Sequence, residues 1–348
     1  MEEIHRAEAT ETYIYEPLGS VPPEIRLLIL HAGFREEPIQ CTLFHVAVAD
    51  ADYQALSYEW GQPNDNADKR VIINGLPHAR PMQRNLERAL LEIRKESRDS
   101  LLWIDALCIN QEDLREKGQQ VAMMGDIFRN ASSVIVWLGP AGDNSDLAME
   151  MMAGRTWATS ESAELKRDCR PEMEALVTLA SRSYWRRVWV IQEFHLAQRY
   201  EVRCGSHLVC QESFEDCLIW AVDALYDGIK GSPAHQHRLA RDLSQAPELC
   251  KLSRWIRMCI LFGFEASNGR DYVYALVGIS HDCRDGLVVP EYGGTLLDTL
   301  LQAAPFFHTS LFGQDPAILA SDARKLAEKM GLAFDDDLER AFVERQSL

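Results

Sequence analysis

Long apolar runs and an excess of basic charge are both missing from this chain of 348 residues. The longest apolar stretches, 101–104 and 134–138, are far shorter than the roughly 20 residues that a transmembrane helix needs. The first residues lack the basic start, apolar middle and small-residue cleavage site of a signal peptide. Acidic residues outnumber basic ones by 53 to 36, and this disfavours nucleic acid and anionic membranes as partners. We therefore expect a cytoplasmic protein that binds neither nucleic acid nor membrane.

Several patterns of metal-binding and catalytic proteins are also absent. The nine cysteines form no CxxC pair and no cysteine–histidine pair at zinc spacing, so we expect reduced thiols and no bound metal. The acidic loop at 64–68 lacks the bidentate glutamate of a calcium loop, because the twelfth position from Asp65 is Leu76. Glycine-rich nucleotide loops, HExxH and GxSxG do not occur. Rossmann dehydrogenases, P-loop NTPases, zincins and serine hydrolases are therefore disfavoured.

The apolar pattern predicts an α/β fold with a parallel central sheet flanked by helices. Strands are predicted at 25–30, 39–48, 53–58, 101–105 and 133–139, with an added hairpin that turns at Asn74-Gly75. Helical periodicity at 82–97 and 112–129 separates the later strands, and this alternation is typical of βαβ units. We expect one α/β domain over residues 1–300 and a helical C-terminal extension over 301–348.

Glu193 is the residue that most needs an explanation. It lies in the segment RSYWRRVWVIQEF, 182–194, which is so apolar on all sides that it predicts a buried helix. No basic residue stands three or four positions from Glu193, where a helical charge partner would be. The carboxylate is therefore either a functional group or half of a buried ion pair with an arginine from elsewhere, such as Arg186, Arg187 or Arg270.

Polar and aromatic residues follow two of the predicted strands. Ser57, Tyr58, Trp60 and Gly61 come at the end of the strand at 53–58, and Asp105 ends the strand at 101–105. In open parallel sheets ligands bind just outside the carboxyl ends of the strands, which favours a binding site here. The structural alternative is that Ser57 caps a turn, Trp60 belongs to the core and Asp105 accepts backbone N–H groups.

Four segments together resemble the fungal heterokaryon incompatibility (HET) domain. They are YQALSYEWG, WIDALCINQEDLREKGQQVAMMGDIFRNASSVIVWLG, YWRRVWVIQEFHLA and RDYVYALVGIS, in this order along the chain. The resemblance covers about residues 15–300. Proteins of this family trigger cell death when genetically different hyphae fuse, so the resemblance implies a role in self/non-self recognition.

The HET domain is in turn remotely similar to the TIR domain, which implies a TIR/flavodoxin-like core. LSYEWG is similar to the first strand and loop of a TIR domain, and SYWRRVWVIQEF to the segment that leads to the glutamate of NAD-cleaving TIR domains. That comparison implies that Glu193 is catalytic, that NAD⁺ is a substrate and not a cofactor, and that self-association activates the protein. It further implies a nucleotide site formed by Ser57, Tyr58, Trp60, Gly61, Asp105 and Trp189.

One carboxylate is enough for that chemistry. Nicotinamide leaves NAD⁺ as a neutral base, so the leaving group needs no general acid, in contrast to an ordinary glycosidic oxygen. The carboxylate has only to stabilise the cation that forms on the ribose. The alternative is a non-enzymatic protein-interaction module with an upstream protein partner that the sequence does not reveal, in which Glu193 is structural.

Overall fold

A computed structural model describes residues 12–48, 52–61, 65, 71–78, 81–154, 170–223, 227–244, 246, 249–283, 286–308 and 316–346. The acidic loop at 64–68 lies outside these residues except for Asp65. Nine strands of the described residues form one sheet, with the order β5-β4-β2-β1-β6-β3-β7-β8-β9. The strands are β1 Glu24–Leu30, β2 Gln40–Ala47, β3 Gln54–Tyr58, β4 Ile72–Ile73, β5 Leu76–Pro77, β6 Ser100–Trp103, β7 Ser133–Trp137, β8 Tyr200–Cys204 and β9 His207–Cys210.

The sheet is mixed, with its parallel part in the middle. β6, β3, β7 and β8 are parallel neighbours. β1 is antiparallel to both β2 and β6, and β9 is antiparallel to β8. The predicted α/β class is confirmed. The strands predicted at 53–58, 101–105 and 133–139 are also confirmed, and they correspond to β3, β6 and β7. β4 is also parallel to β2. The predicted parallel centre corresponds to β6, β3, β7 and β8, and antiparallel pairs extend the sheet on both sides of it.

Fourteen α-helices of the described residues surround the sheet or follow it in the chain. They are α1 Arg84–Ile93, α2 Asp105–Cys108, α3 Leu114–Asn130, α4 Ser145–Gly154, α5 Arg170–Ala180, α6 Val188–His195, α7 Gln211–Asp223, α8 Asp227–Lys230, α9 Pro233–Ser244, α10 Leu252–Leu261, α11 Asp271–Val277, α12 Leu296–Ala303, α13 Pro316–Met330 and α14 Asp336–Gln346. None of the helices in the described ranges is long and apolar enough to cross a membrane.

The central strands and α6 are buried on all sides. Almost every residue of β3 and β7 is inaccessible to solvent, which is typical of parallel strands covered on both faces. α6 buries seven of its eight residues, Glu193 among them. The prediction of a buried apolar helix around Glu193 is therefore confirmed.

The helix predicted from the apolar segment 182–194 does not begin until Val188. A 3-10 turn at Ser183–Arg186 precedes α6, and Arg187 between them has an extended backbone. The reason is a tertiary contact: the Glu265 N–H donates to the Arg186 carbonyl at 2.7 Å, and the Val188 N–H donates to the Glu265 carbonyl at 3.0 Å. This pairing fixes Arg187 beside the segment that leads into α11.

The region after residue 300 contacts the helices that precede it. The Lys329 ammonium in α13 donates to the Phe264 carbonyl at 2.9 Å, and Arg257 in α10 lies 3.3 Å from Asp322. The Phe307 and Phe342 rings pack edge to face at 5.2 Å. The boundary at residue 300 between a domain and an extension stays a prediction.

Candidate functional site

A cleft lies at the carboxyl ends of the central strands β3 and β6. Its volume is about 460 Å³, which is within the range of small-molecule sites. Four of the seven predicted site residues line it: Trp60, Gly61, Asp105 and Trp189. Ser57, Tyr58 and Glu193 are not among the described residues that line it, and all three are buried.

Asp105 and Trp60 form one side of the cleft. The Trp60 indole Nε1–H donates to Asp105 Oδ2 at 2.8 Å, and the Ala106 backbone N–H donates to Oδ1 at 2.7 Å. Burial raises the pKa of Asp105, against the hydrogen bond from Trp60 and the charge of Arg187. Gly61 follows with φ +85°, a left-handed conformation that lets the chain turn sharply after β3.

Asp271 is a second acidic residue that lines the cleft, and it was not predicted from the sequence. It is the first residue of α11, and its side chain lines the same cleft. The Trp189 Nε1–H donates to Asp271 Oδ2 at 3.0 Å, and the Tyr292 hydroxyl donates to Oδ1 at 2.8 Å. Burial raises the pKa of Asp271, although both hydrogen bonds oppose the shift. The available signal was an acidic residue at the start of the apolar segment RDYVYALVGIS.

Glu193 lies at the end of a short hydrogen-bond chain. The Ser57 hydroxyl donates to Glu193 Oε2. Ser57 has one hydroxyl hydrogen, so the Tyr184 hydroxyl, 2.6 Å from Ser57 Oγ, is the donor in the preceding step. Glu193 itself is 4% exposed. The predicted residue Ser57 therefore contacts the predicted catalytic residue directly.

Arg187 is the basic group next to Glu193. Its Nη1 lies 3.7 Å from Glu193 Oε2 and also donates to the Tyr58 carbonyl. Of the three arginines considered from the sequence, Arg187 is the one that the structure brings to Glu193, and it also lines the cleft. Burial lowers the pKa of Arg187, but the charges of Glu193 and Asp105 outweigh that effect and leave it raised.

Glu193 changes between its protonated and ionised forms near neutral pH. Burial raises the pKa of Glu193 to about 7, although the Arg187 charge and the Ser57 hydrogen bond both favour the ionised carboxylate. Carboxyl groups perturbed in this way occur often in functional sites and also in structural ion-pair networks. The geometry therefore supports both interpretations of Glu193 that the sequence left open.

Comparison with known proteins gives two matches. Residues 53–193 match the family described as heterokaryon incompatibility protein (HET). The chain is also 26% identical, over 394 aligned residues and 93% of its length, to heterokaryon incompatibility protein 6, OR allele, of Neurospora crassa. The alignment covers 56% of that relative, so the chain spans little more than half the relative's length. No solved structure matches the chain. Asp271 lies beyond the segment that matches the family.

Proposed function

Because this chain is a HET-domain protein, we propose that it acts in fungal self/non-self incompatibility by hydrolysing NAD⁺ to nicotinamide and an ADP-ribose product. Self-association activates it, and the product or the loss of NAD⁺ signals cell death. The observation that carries the proposal is the position of Glu193, a carboxylate with a pKa of about 7 that lies 3.7 Å from Arg187. Arg187 lines a cleft at the carboxyl ends of parallel strands. The similarity of the Glu193 segment to TIR domains supports the same chemistry.

The proposed reaction breaks the bond between the ribose and the positively charged nicotinamide ring. Positive charge moves to the ribose as the neutral base leaves, and the ionised Glu193 stabilises that charge. Before a substrate binds, the Ser57 hydrogen bond and the Arg187 charge both favour the ionised carboxylate, against the effect of burial. Trp60 and Trp189 add aromatic surface to the cleft, which suits a cationic ring. Water then completes the hydrolysis.

Arg187 must move for Glu193 to contact a substrate. Its side chain lines the cleft and lies beside a carboxylate that is 4% exposed. The phosphates of a dinucleotide are strong competitors for a guanidinium, because they offer bidentate charge-assisted hydrogen bonds. In this proposal the pyrophosphate of NAD⁺ draws Arg187 aside, and Lys117, which also lines the cleft, is a second cation for it.

A non-enzymatic interaction module is the second candidate, and one observation favours it. The hydrogen bonds that run from Tyr184 through Ser57 to Glu193 end beside the Arg187 guanidinium. The Glu193 carboxylate therefore already has a hydrogen-bond donor and a countercharge. Buried ion pairs of this kind are also found in purely structural roles. In that case Glu193 and Arg187 support the wall of the cleft without any turnover.

The deciding experiment measures nicotinamide release from NAD⁺ by the concentrated full chain, together with its melting temperature. For a catalytic Glu193, the change Glu193→Gln should lower the rate at least tens of fold, since about 2–4 kcal/mol of transition-state stabilisation is lost. Glu201→Gln is the matched control, because Glu201 pairs with Arg203 on β8 and does not line the cleft. It should leave the rate unchanged.

The alternative predicts a different pair of results. A parent protein that releases no nicotinamide at any concentration, combined with a melting temperature that falls in the Glu193→Gln variant, would refute hydrolysis and support the interaction module. The fall is expected because the substitution leaves the buried Arg187 charge without its carboxylate.

A further inference from the structure

Two aspartates in the cleft are anchored in the same way. Each accepts a hydrogen bond from a tryptophan indole: Asp105 from Trp60 at 2.8 Å and Asp271 from Trp189 at 3.0 Å. Each also has a second donor on its other oxygen, the Ala106 N–H and the Tyr292 hydroxyl. Both side chains are therefore held in fixed orientations at the surface of one cleft.

The anchoring leaves acceptor capacity on Asp271. A carboxylate oxygen has two lone pairs, and each Asp271 oxygen receives one hydrogen bond from the groups named above. One acceptor position therefore remains on each Asp271 oxygen, whereas Asp105 has the Tyr58 hydroxyl as a further hydrogen-bond partner. A carboxylate with one free position on each oxygen is suited to two neighbouring hydroxyl groups, as in the ribose contact of dinucleotide-binding folds.

Gln111 adds a further acceptor to the cleft. Its Nε2–H donates to the Asp105 carbonyl at 3.0 Å, and this bond fixes which end of the amide carries the oxygen. The Oε1 atom is buried and has no hydrogen-bond partner in the described part of the chain. Because an unpaired buried acceptor is costly, a ligand that donates a hydrogen bond here would be stabilised.

Two basic groups stand beside these acceptors. Arg187 lines the cleft, and the Lys117 ammonium lies 4.6 Å from the centre of the Tyr292 ring, whose hydroxyl anchors Asp271. The cleft therefore combines acceptors for hydroxyl groups with cations for phosphate. Sugar hydroxyls and phosphate occur together in nucleotides, and this chemistry is the basis of the inference.

We propose that Asp271 is a nucleotide-binding residue, which accepts hydrogen bonds from the vicinal hydroxyls of a ribose. The segment beyond the family match then supplies part of the wall of the nucleotide site, in addition to Asp105. This inference deepens the proposed function, and it rests on that proposal for the choice of a ribose dinucleotide as ligand. It does not depend on Glu193 or on turnover.

The test is calorimetric binding of ADP-ribose to the full chain, because ADP-ribose keeps both riboses and both phosphates but has no nicotinamide bond to break. Asp271→Asn should weaken binding about 10- to 100-fold, as expected for hydrogen bonds to a charged acceptor. Asp242→Asn is the matched control: Asp242 is exposed on α9, where it pairs with Arg238 at 3.3 Å, and it should bind like the parent.

Two further measurements separate contact from misfolding. Trp189→Phe keeps an aromatic side chain but removes the N–H that orients Asp271, so it should weaken ADP-ribose binding in the same direction and by a smaller factor. Two ADP-ribose analogues, each lacking the 2′-hydroxyl of one ribose, should differ: for one of them the Asp271→Asn effect should shrink to a few fold or less. That result would also show which ribose Asp271 contacts.

The outcomes separate this inference from the proposed hydrolysis. Unchanged ADP-ribose binding by a folded Asp271→Asn variant would overturn the inference, and so would a parent protein that binds no ADP-ribose. An Asp271→Asn effect that is as large for both deoxy analogues as it is for ADP-ribose would also overturn the inference. Binding that depends on Asp271, in a protein that releases no nicotinamide, would refute hydrolysis and leave the inference intact.

Discussion

Replacing Glu193 by glutamine should remove a pH dependence of stability that one buried carboxyl group creates. Burial raises the pKa of Glu193 from its ordinary value of 4.5 to about 7. Between these values the folded chain holds a proton that the unfolded chain releases, so the folded state loses stability as the pH rises through this window. The pKa shift corresponds to a loss of about 3 kcal/mol in the free energy of unfolding. This loss is absent below pH 4.5 and complete above pH 7.

The glutamine variant has no group to titrate there. Relative to the parent, its free energy of unfolding should therefore increase by about 3 kcal/mol between pH 4.5 and pH 8. For a chain of 348 residues this is on the order of 4 °C in melting temperature. The comparison with the parent cancels other buried groups, such as His237, whose pKa is lowered to about 4 by burial and which destabilises the fold as the pH falls.

The assay is denaturant unfolding of both proteins in steps from pH 4.5 to pH 8 at constant ionic strength. Glu201→Gln serves as the control for the change of glutamate to glutamine, because Glu201 is partly exposed and pairs with Arg203. A difference between Glu193→Gln and the parent that does not change with pH, or a variant that becomes relatively less stable as the pH rises, would refute the reasoning. Either result would mean that Arg187 offsets the effect of burial and keeps the pKa of Glu193 at or below its ordinary value, as in a structural ion pair.

Two stability predictions concern contacts away from the cleft. Gly278→Ala should destabilise the fold by roughly 1–3 kcal/mol in denaturant unfolding, because the added methyl group would overlap the Gln192 amide and the backbone of α3. Gly142 has open space around it, so the control Gly142→Ala should change stability by less than about 0.5 kcal/mol. Arg26→Met should cost roughly 3–5 kcal/mol, since it leaves the buried Glu116 carboxylate without its two-pronged partner, and adding Glu116→Gln should restore part of the loss. Equal effects at both glycines, or no effect at Arg26, would contradict these contacts.

The local sequence predicted those parts of the site that are positioned by strands. β3 and β6 are short apolar segments, and the residues that follow such strands in a parallel sheet meet at one edge. Trp60 and Asp105 were predicted to lie there and do, although the bond between them could not be inferred. The burial of Glu193 followed from the apolar segment around it.

The parts that the sequence did not predict depend on contacts between distant segments. Asp271 lines the cleft because α11 packs near α6, and no pattern in the local sequence predicts that contact. The break before α6 has the same origin, since the extended backbone of Arg187 pairs with Glu265. Arg187 was one of three candidate partners of Glu193, and only tertiary structure could select it.

Under the proposed function, the charge on Arg187 decides what Glu193 can do. The Arg187 guanidinium is the strongest influence that opposes the effect of burial on the pKa of Glu193. A ligand with phosphate alone would draw Arg187 away and leave the carboxyl group protonated, and a protonated carboxyl group cannot stabilise a cation. NAD⁺ brings phosphates and a cationic ring together, so its ring replaces the positive charge that its phosphates displace. Reduced NAD has the same phosphates but a neutral ring, and the ring therefore leaves Glu193 uncompensated. The pairing of Arg187 with Glu193 would thus favour the oxidised dinucleotide, whereas in a non-enzymatic module the pair would stay closed.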